Sequence, residues 1–216
     1  MEITFLGSGN AFAADGRYWS SFLVDKKYLF DAPPTLLPHL KQLRVPLPDI
    51  EVIFLTHHHG DHFMGVPFLF LEYFYMTERS NDLYIVGPPG VREWIEDFAD
   101  RCYPNITRDA GYRRIYVDAV PRKQQQAGAI SFWSVPMNHV KELKKPIFIV
   151  AGANDPRVPK SEADQMAAAL QQQGTPVWYL VGKDEGHGFA KKKNADFQFY
   201  ATIAFVEKHL LGKSNN

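Results

Sequence analysis

The chain has a single cysteine, Cys102, among 216 residues, so no disulfide can close within it, and a reducing compartment fits. It also lacks net charge: Lys+Arg and Asp+Glu each number 24, which gives no field to draw in nucleic acid. Long apolar runs are missing too. The most hydrophobic segment, Phe63 to Met76, is too short to span a bilayer and carries Glu72. Met1 leads straight into a strand-like run, with no basic leader and no cleavable apolar region. These absences set the expectation of a soluble, cytoplasmic protein with no membrane partner and no charge-driven nucleic-acid partner. What is present is the material of a core, with 45% hydrophobic and 14% aromatic residues. The length suits one compact domain or two very small ones.

The densest chemistry lies in Thr56-His57-His58-His59-Gly60-Asp61-His62, just after the apolar run Val52-Ile53-Phe54-Leu55. On an extended strand end, side chains alternate, so His57 and His59 point to one side and His58 to the other. Gly60 is then expected to turn the chain sharply, with Asp61 and His62 opening a helix whose first turn faces back. Four N/O donors so converge on a volume able to hold two transition-metal ions, His57 and His59 on one, Asp61 and His62 on the other. His58 falls to a surface role or to support behind the ligands.

This pattern resembles the signature of the metallo-β-lactamase superfamily. Its flanks, Ile3-Thr4-Phe5-Leu6-Gly7-Ser8-Gly9, Phe30-Asp31-Ala32 and Gly65-Val66-Pro67, are similar to the ribonuclease-Z-like branch. The resemblance covers about residues 1–140. It implies that His139, at an expected strand end, is the third histidine of the first ion. It also implies that Asp31 braces the histidine loop; read without the resemblance, Asp31 equally well starts the Pro33-Pro34 turn.

Along the chain, strands are expected at 3–6, 21–24, 28–30, 52–55, 83–86, 112–117 and 129–135, with helices over 35–43, 63–76 and 91–102. After Val140 the usage changes. Residues 1–140 hold 9 Arg and 4 Lys against 16 acids, whereas residues 141–216 hold 1 Arg and 10 Lys against 8 acids. The later stretch, Pro146 to Pro159 with Asp184-Glu185-Gly186-His187-Gly188-Phe189, resembles the C-terminal end of a prolyl-oligopeptidase-type α/β hydrolase. There the residues matching Asp155 and His187 are the acid and base of a catalytic triad. No Gly-x-Ser-x-Gly elbow exists in the chain, and a base without a nucleophile does no acyl transfer.

The expected fold is therefore α/β: a metallo-β-lactamase-like αββα sandwich whose second half is replaced by a βαβα unit from an α/β hydrolase. The expected parts are 1–140 with the metal motif and 141–216 as the βαβα segment (strand 147–150, helix 161–173, strand 177–181, helix 195–211), packed into one domain. The metal ligands are His57, His59, Asp61, His62 and His139. Asp155 and His187 either complete the site or keep their old hydrogen bond. The expected cofactor is one or two zinc ions, with manganese or iron as alternatives. The expected chemistry is hydrolysis of a small-molecule ester, foremost a phosphoester, by a metal-activated water, with Asp61 and His187 as catalytic groups. Alternatives are a recombined or engineered metal-binding protein without evolved activity, and a remnant serine hydrolase. A homodimer would give each N-terminal half its missing cover.

Overall fold

The computed structural model describes residues 2–9, 11–13, 16–108, 110–121, 123–134, 143–155, 160–186 and 188–212. The chain divides into two compact units, Met1–Ser134 and Val135–Asn216.

The first unit is built on a six-stranded mixed sheet. Strands β1 (Ile3–Gly7), β2 (Ser21–Val24) and β3 (Tyr28–Phe30) form an antiparallel meander. Strands β4 (Val52–Phe54), β5 (Leu83–Gly87) and β6 (Arg114–Asp118) then add in parallel, in the order β1-β2-β3-β4-β5-β6. Parallel neighbours need crossovers, and helices α1 (Leu36–Gln42), α2 (Gly60–Phe63), α3 (Val66–Tyr75) and α4 (Val91–Cys102) lie in these connections. Alternation along the strands gives the sheet two faces. Leu29, Ile53 and Ile85 face the helices and join Leu69, Phe70 and Ile95 in the main core. Val52 and Val86 join a second cluster with Ala127.

That second cluster rests on an antiparallel hairpin, β7 (Gln124–Ala127) and β8 (Ile130–Trp133). Phe132 meets Phe54 edge-on at 5.5 Å, so the hairpin covers part of the sheet face turned away from the helices. Only the β8 part of it was expected. Gln-Gln-Gln-Ala carries almost no hydrophobic alternation, and its strand state comes from pairing with β8.

The apolar stretch 63–76, expected as one helix, is two: α2 ends at Phe63 and α3 begins at Val66. Gly65 sits at the break, where its N–H donates to Ala32 O at 2.7 Å. A Cβ there would lie 2.8 Å from Ala32 O and closer still to Pro33 O, so only glycine lets this corner seat against the 31–33 segment. Ala32 N–H donates in return to His62 O at 2.6 Å. The broken helix thereby fixes the distance between Asp31 and the histidine loop.

The second unit has the expected βαβα order: β9 (Ile147–Gly152), α5 (Lys160–Gln172), β10 (Val177–Gly182) and α6 (Lys192–His209). The two strands are parallel, with Ile147 opposite Val177 and Gly152 opposite Gly182. Ile149 packs with Ala167 and Leu170 of α5, and Phe148 and Trp178 pack on Phe205 of α6, so the strand pair is covered on both faces. Glu185, 2% exposed, accepts from Ala190 N and Lys191 N at the start of α6 and anchors that helix. Among the described residues, no helix is long and apolar enough to cross a membrane.

Candidate metal centre

Strand β4 ends at Phe54, and Leu55 still reaches β5 through its N–H to Val86 O at 2.8 Å. Beyond it the chain leaves the sheet at the carboxyl ends of parallel strands, where functional groups gather in α/β layers. His59 stays extended (φ −77°, ψ 145°) and the next residue is already helical, so the turn into α2 happens between His59 and Gly60. The sharp turn expected of Gly60 is not its role. A Cβ at that position would meet only the flexible end of Met64, and the corner that needs glycine is Gly65.

Three imidazoles come together here. His57 lies 4.6 Å from His59 and 4.0 Å from His62, ring centre to ring centre. His57 is thus nearer His62 than His59, and the loop presents its imidazoles as one cluster. His58 is turned to α4 instead, stacking on Trp94 at 4.6 Å with 16° between the planes.

Behind the imidazoles stands Asp31, 7% exposed, in the left-handed region at φ +58°, a conformation that aspartate tolerates better than most residues. Its carboxylate accepts from Thr56 N at 2.8 Å, from Thr56 Oγ1 at 3.0 Å, and from His62 Nδ1 at 2.7 Å. Its own N–H donates to Phe54 O, and its C=O accepts from Ser21 Oγ. The residue is held on every side. The bracing role implied by the resemblance is therefore visible as geometry, and the reading of Asp31 as a mere turn starter does not account for these contacts.

The network assigns tautomers. A carboxylate only accepts, so Thr56 spends its one hydroxyl hydrogen on Asp31. Thr56 Oγ1, 2.9 Å from His57 Nδ1, can then only accept, which places a hydrogen on His57 Nδ1 and leaves Nε2 as a lone pair. His62 donates its Nδ1 hydrogen to Asp31 in the same way, with Nε2 3.3 Å from Asp61 Oδ2. Burial works against charge on His62, but the hydrogen bond to Asp31 and the charges of Asp31 and Asp61 outweigh it and raise its pKa. His57 moves the other way: burial first, then the neighbouring His62 and His59, lower its pKa. A neutral imidazole with a hydrogen-bonded Nδ1 and an open Nε2 is the form that binds a transition metal, so His57 fits such an ion.

The remaining candidates divide as follows. Asp61 lies in the first turn of α2, beside His62. Asp155 follows β9 in the second unit. His139 and His187 lie outside the described residues. Among the described residues, no group of three or more histidine, cysteine, aspartate or glutamate side chains is arranged to hold an ion together. What the first unit presents is an imidazole cluster with its tautomers fixed. The part played by Thr56 is not readable from spacing, although the residue opens the motif; its hydroxyl gains meaning only once Asp31 is folded against it.

The mixed sheet, with a histidine loop at its parallel strand ends, is metallo-β-lactamase-like. The likeness is borne by the metallo-β-lactamase fold protein YhfI from Bacillus subtilis (TM-score 0.56, 14% identity, 96% of this chain and 92% of that one). It is borne also by the short form of human tRNase Z (TM-score 0.52, 19% identity, 85% and 97%). Residues 1–145 match the family described as anti-Pycsar protein Apyc1, and the chain belongs to that family. Residues 108–213 match the prolyl oligopeptidase family. Over 109 residues the chain is 31% identical to ribonuclease Z of Methanosarcina acetivorans, covering 49% of this chain and 35% of the relative. Over 79 residues it is 40% identical to dipeptidyl aminopeptidase BIII of Pseudoxanthomonas mexicana, covering 37% of this chain and 12% of the relative. The chain thus spans about a third of the one relative's length and about an eighth of the other's. It joins stretches similar to two different families.

Proposed function

We propose that the chain is a metal-dependent hydrolase of phosphoesters, foremost phosphodiesters, working at the histidine loop of the first unit. The observation that carries this reading is the Asp31–Thr56–His57 relay, with its counterpart at His62. A solvated polar loop has no use for a buried carboxylate that fixes two imidazole tautomers. Support comes from relatives and fold neighbours described as ribonuclease Z, tRNase Z and a diphosphatase of the PhnP family.

In this reading His57 and His59, with His139, hold a first ion, and His62 and Asp61 serve a second. Zinc in such a site supplies Lewis acidity and a water acidic enough to ionise near pH 7. The chain's own residues do the rest. Asp31 and Thr56 keep Nδ1 of His62 and His57 protonated, so Nε2 would be the nitrogen left to take an ion. Asp61 accepts a hydrogen bond from the attacking water and orients it. The leaving oxygen would take its proton from solvent or from a histidine outside the ligand set. Serine chemistry has no nucleophile elbow to begin from.

The test is turnover by purified protein, stripped of metal and reloaded with zinc or manganese. Bis(p-nitrophenyl) phosphate is compared with monoester, lactone and peptide chromogenic substrates. Metal-dependent cleavage of the diester, lost in His59→Ala, is expected. Bound metal with no turnover on any of these substrates would instead favour a metal-binding protein without evolved activity.

A further inference from the structure

The stretch between β4 and α2 has little backbone support. Among the described residues, no backbone hydrogen bond is made by the amides of His57, His58 or His59, and the loop is held at its two ends, by a side chain at one and by the backbone at the other. Asp31 grips Thr56 at one end, and the His59 carbonyl accepts from His62 N at the other. Between them His58 leaves the imidazole cluster and lays its ring on Trp94.

The seat for that ring is part surface and part core, since Trp94 is 51% exposed and Phe63 is buried. Phe63, 3% exposed, stands edge-on to both partners, 6.4 Å from His58 at 78° and 6.1 Å from Trp94 at 88°. Phe98 backs Phe63 at 5.1 Å. Trp94 belongs to the first turn of α4, whose free amides at Gly90 and Val91 donate to Asp118 Oδ1 at the end of β6. Val91 and Ile95, on either side of Trp94, are fully buried. The helix is therefore fixed both to the sheet and to the core before it meets the loop.

We infer that His58 and Trp94 are positioning residues: their stacked rings clamp the loop to α4 and so hold His57 and His59 in the arrangement that binds metal. The inference rests on the proposed metal reading. It uses the flat ring of His58; among the described residues Nε2 of His58 is buried without a hydrogen-bond partner, so no hydrogen bond from that nitrogen holds the ring in place. A phenyl ring should serve equally well, which separates clamping from ligation or proton transfer by this residue.

The experiment is zinc titration against a chromophoric chelator, with hydrogen exchange of the hydrogen-bonded amides at the two ends of the loop, Thr56 and His62, measured on metal-free protein. An offset-stacked aromatic pair contributes enough that losing it should weaken binding about fivefold to tenfold. His58→Ala and Trp94→Ala should each show that loss together with faster exchange, while His58→Phe and Trp94→Phe should restore both. His59→Ala should abolish tight binding. If Trp94→Ala binds and exchanges like the parent, or His58→Phe is as weak as His58→Ala, the clamp is overturned. A parent protein that binds no zinc overturns the metal reading instead, and the exchange data alone then decide the clamp.

Discussion

Replacing Asp31 by asparagine probes the centre of the site with little change of shape. Asparagine keeps the volume and tolerates the left-handed backbone at φ +58°. Its Oδ1 can keep the two hydrogens from Thr56, but its NH2 then faces His62 Nδ1, now 2.7 Å from a carboxylate oxygen. Two donors cannot share that contact, so His62 must release the Nδ1 hydrogen and carry it on Nε2. The hydrogen bond to a charged carboxylate becomes one between neutral groups, a loss of about 1 kcal/mol. For a unit of this size that is a fall in Tm of about 4 °C. His62 has a raised pKa, so its stabilising share is full below its unfolded value near 6.5 and is lost as pH climbs through the folded value. In Asp31→Asn this pH dependence should shrink to the part that Asp61 supports. Metal affinity should drop about 10- to 100-fold, because the ligating nitrogen is now protonated. Melting curves, imidazole 15N shifts of metal-free protein and a zinc titration read the three effects. An unchanged tautomer with Tm within about 1 °C of the parent would refute the relay.

Other outcomes follow from the same packing. Gly65→Ala drives a methyl group into two backbone carbonyls and should cost about 3 kcal/mol, read as a lowered melting temperature together with weakened metal binding. Burial raises the pKa of Glu72, but hydrogen bonds from Lys41 at 2.6 Å and Thr77 at 2.7 Å win and hold it below its ordinary value. Its stabilisation is present above the unfolded pKa near 4.5 and is lost as pH falls through the folded one, so Glu72→Gln should flatten the acid limb of the unfolding profile. A fluorophosphonate probe should label no serine of the folded protein; labelling that disappears in His187→Ala would show residual serine-hydrolase chemistry.

Much of this architecture can be read from the residues, for physical reasons that also mark where such reading stops. Val52–Phe54 and Leu83–Gly87 declare themselves because buried strands need runs of branched and aromatic side chains. Helix α4 is legible because its apolar residues fall on one stripe. The stretch 63–76 is apolar all round, so periodicity carries no trace of the break at Gly65, which is imposed by contact with Ala32 and Pro33. The Gln-rich strand β7 is equally silent, since only its partner makes it a strand. At the site, the types and spacing of His57, His59, Asp61 and His62 announce metal chemistry. The relay through Thr56 and the stack of His58 on Trp94 join residues 25 and 36 positions apart, and no local pattern encodes them.

The central claim is that the histidine loop of the first unit binds a catalytic metal, and metal analysis of the purified protein beside His59→Ala tests it most directly. The account predicts one or two zinc, manganese or iron ions per chain in the parent and a sharp loss in His59→Ala, with the circular-dichroism spectrum unchanged. Equal metal content in the two proteins, or none in the parent even after reloading, would contradict it.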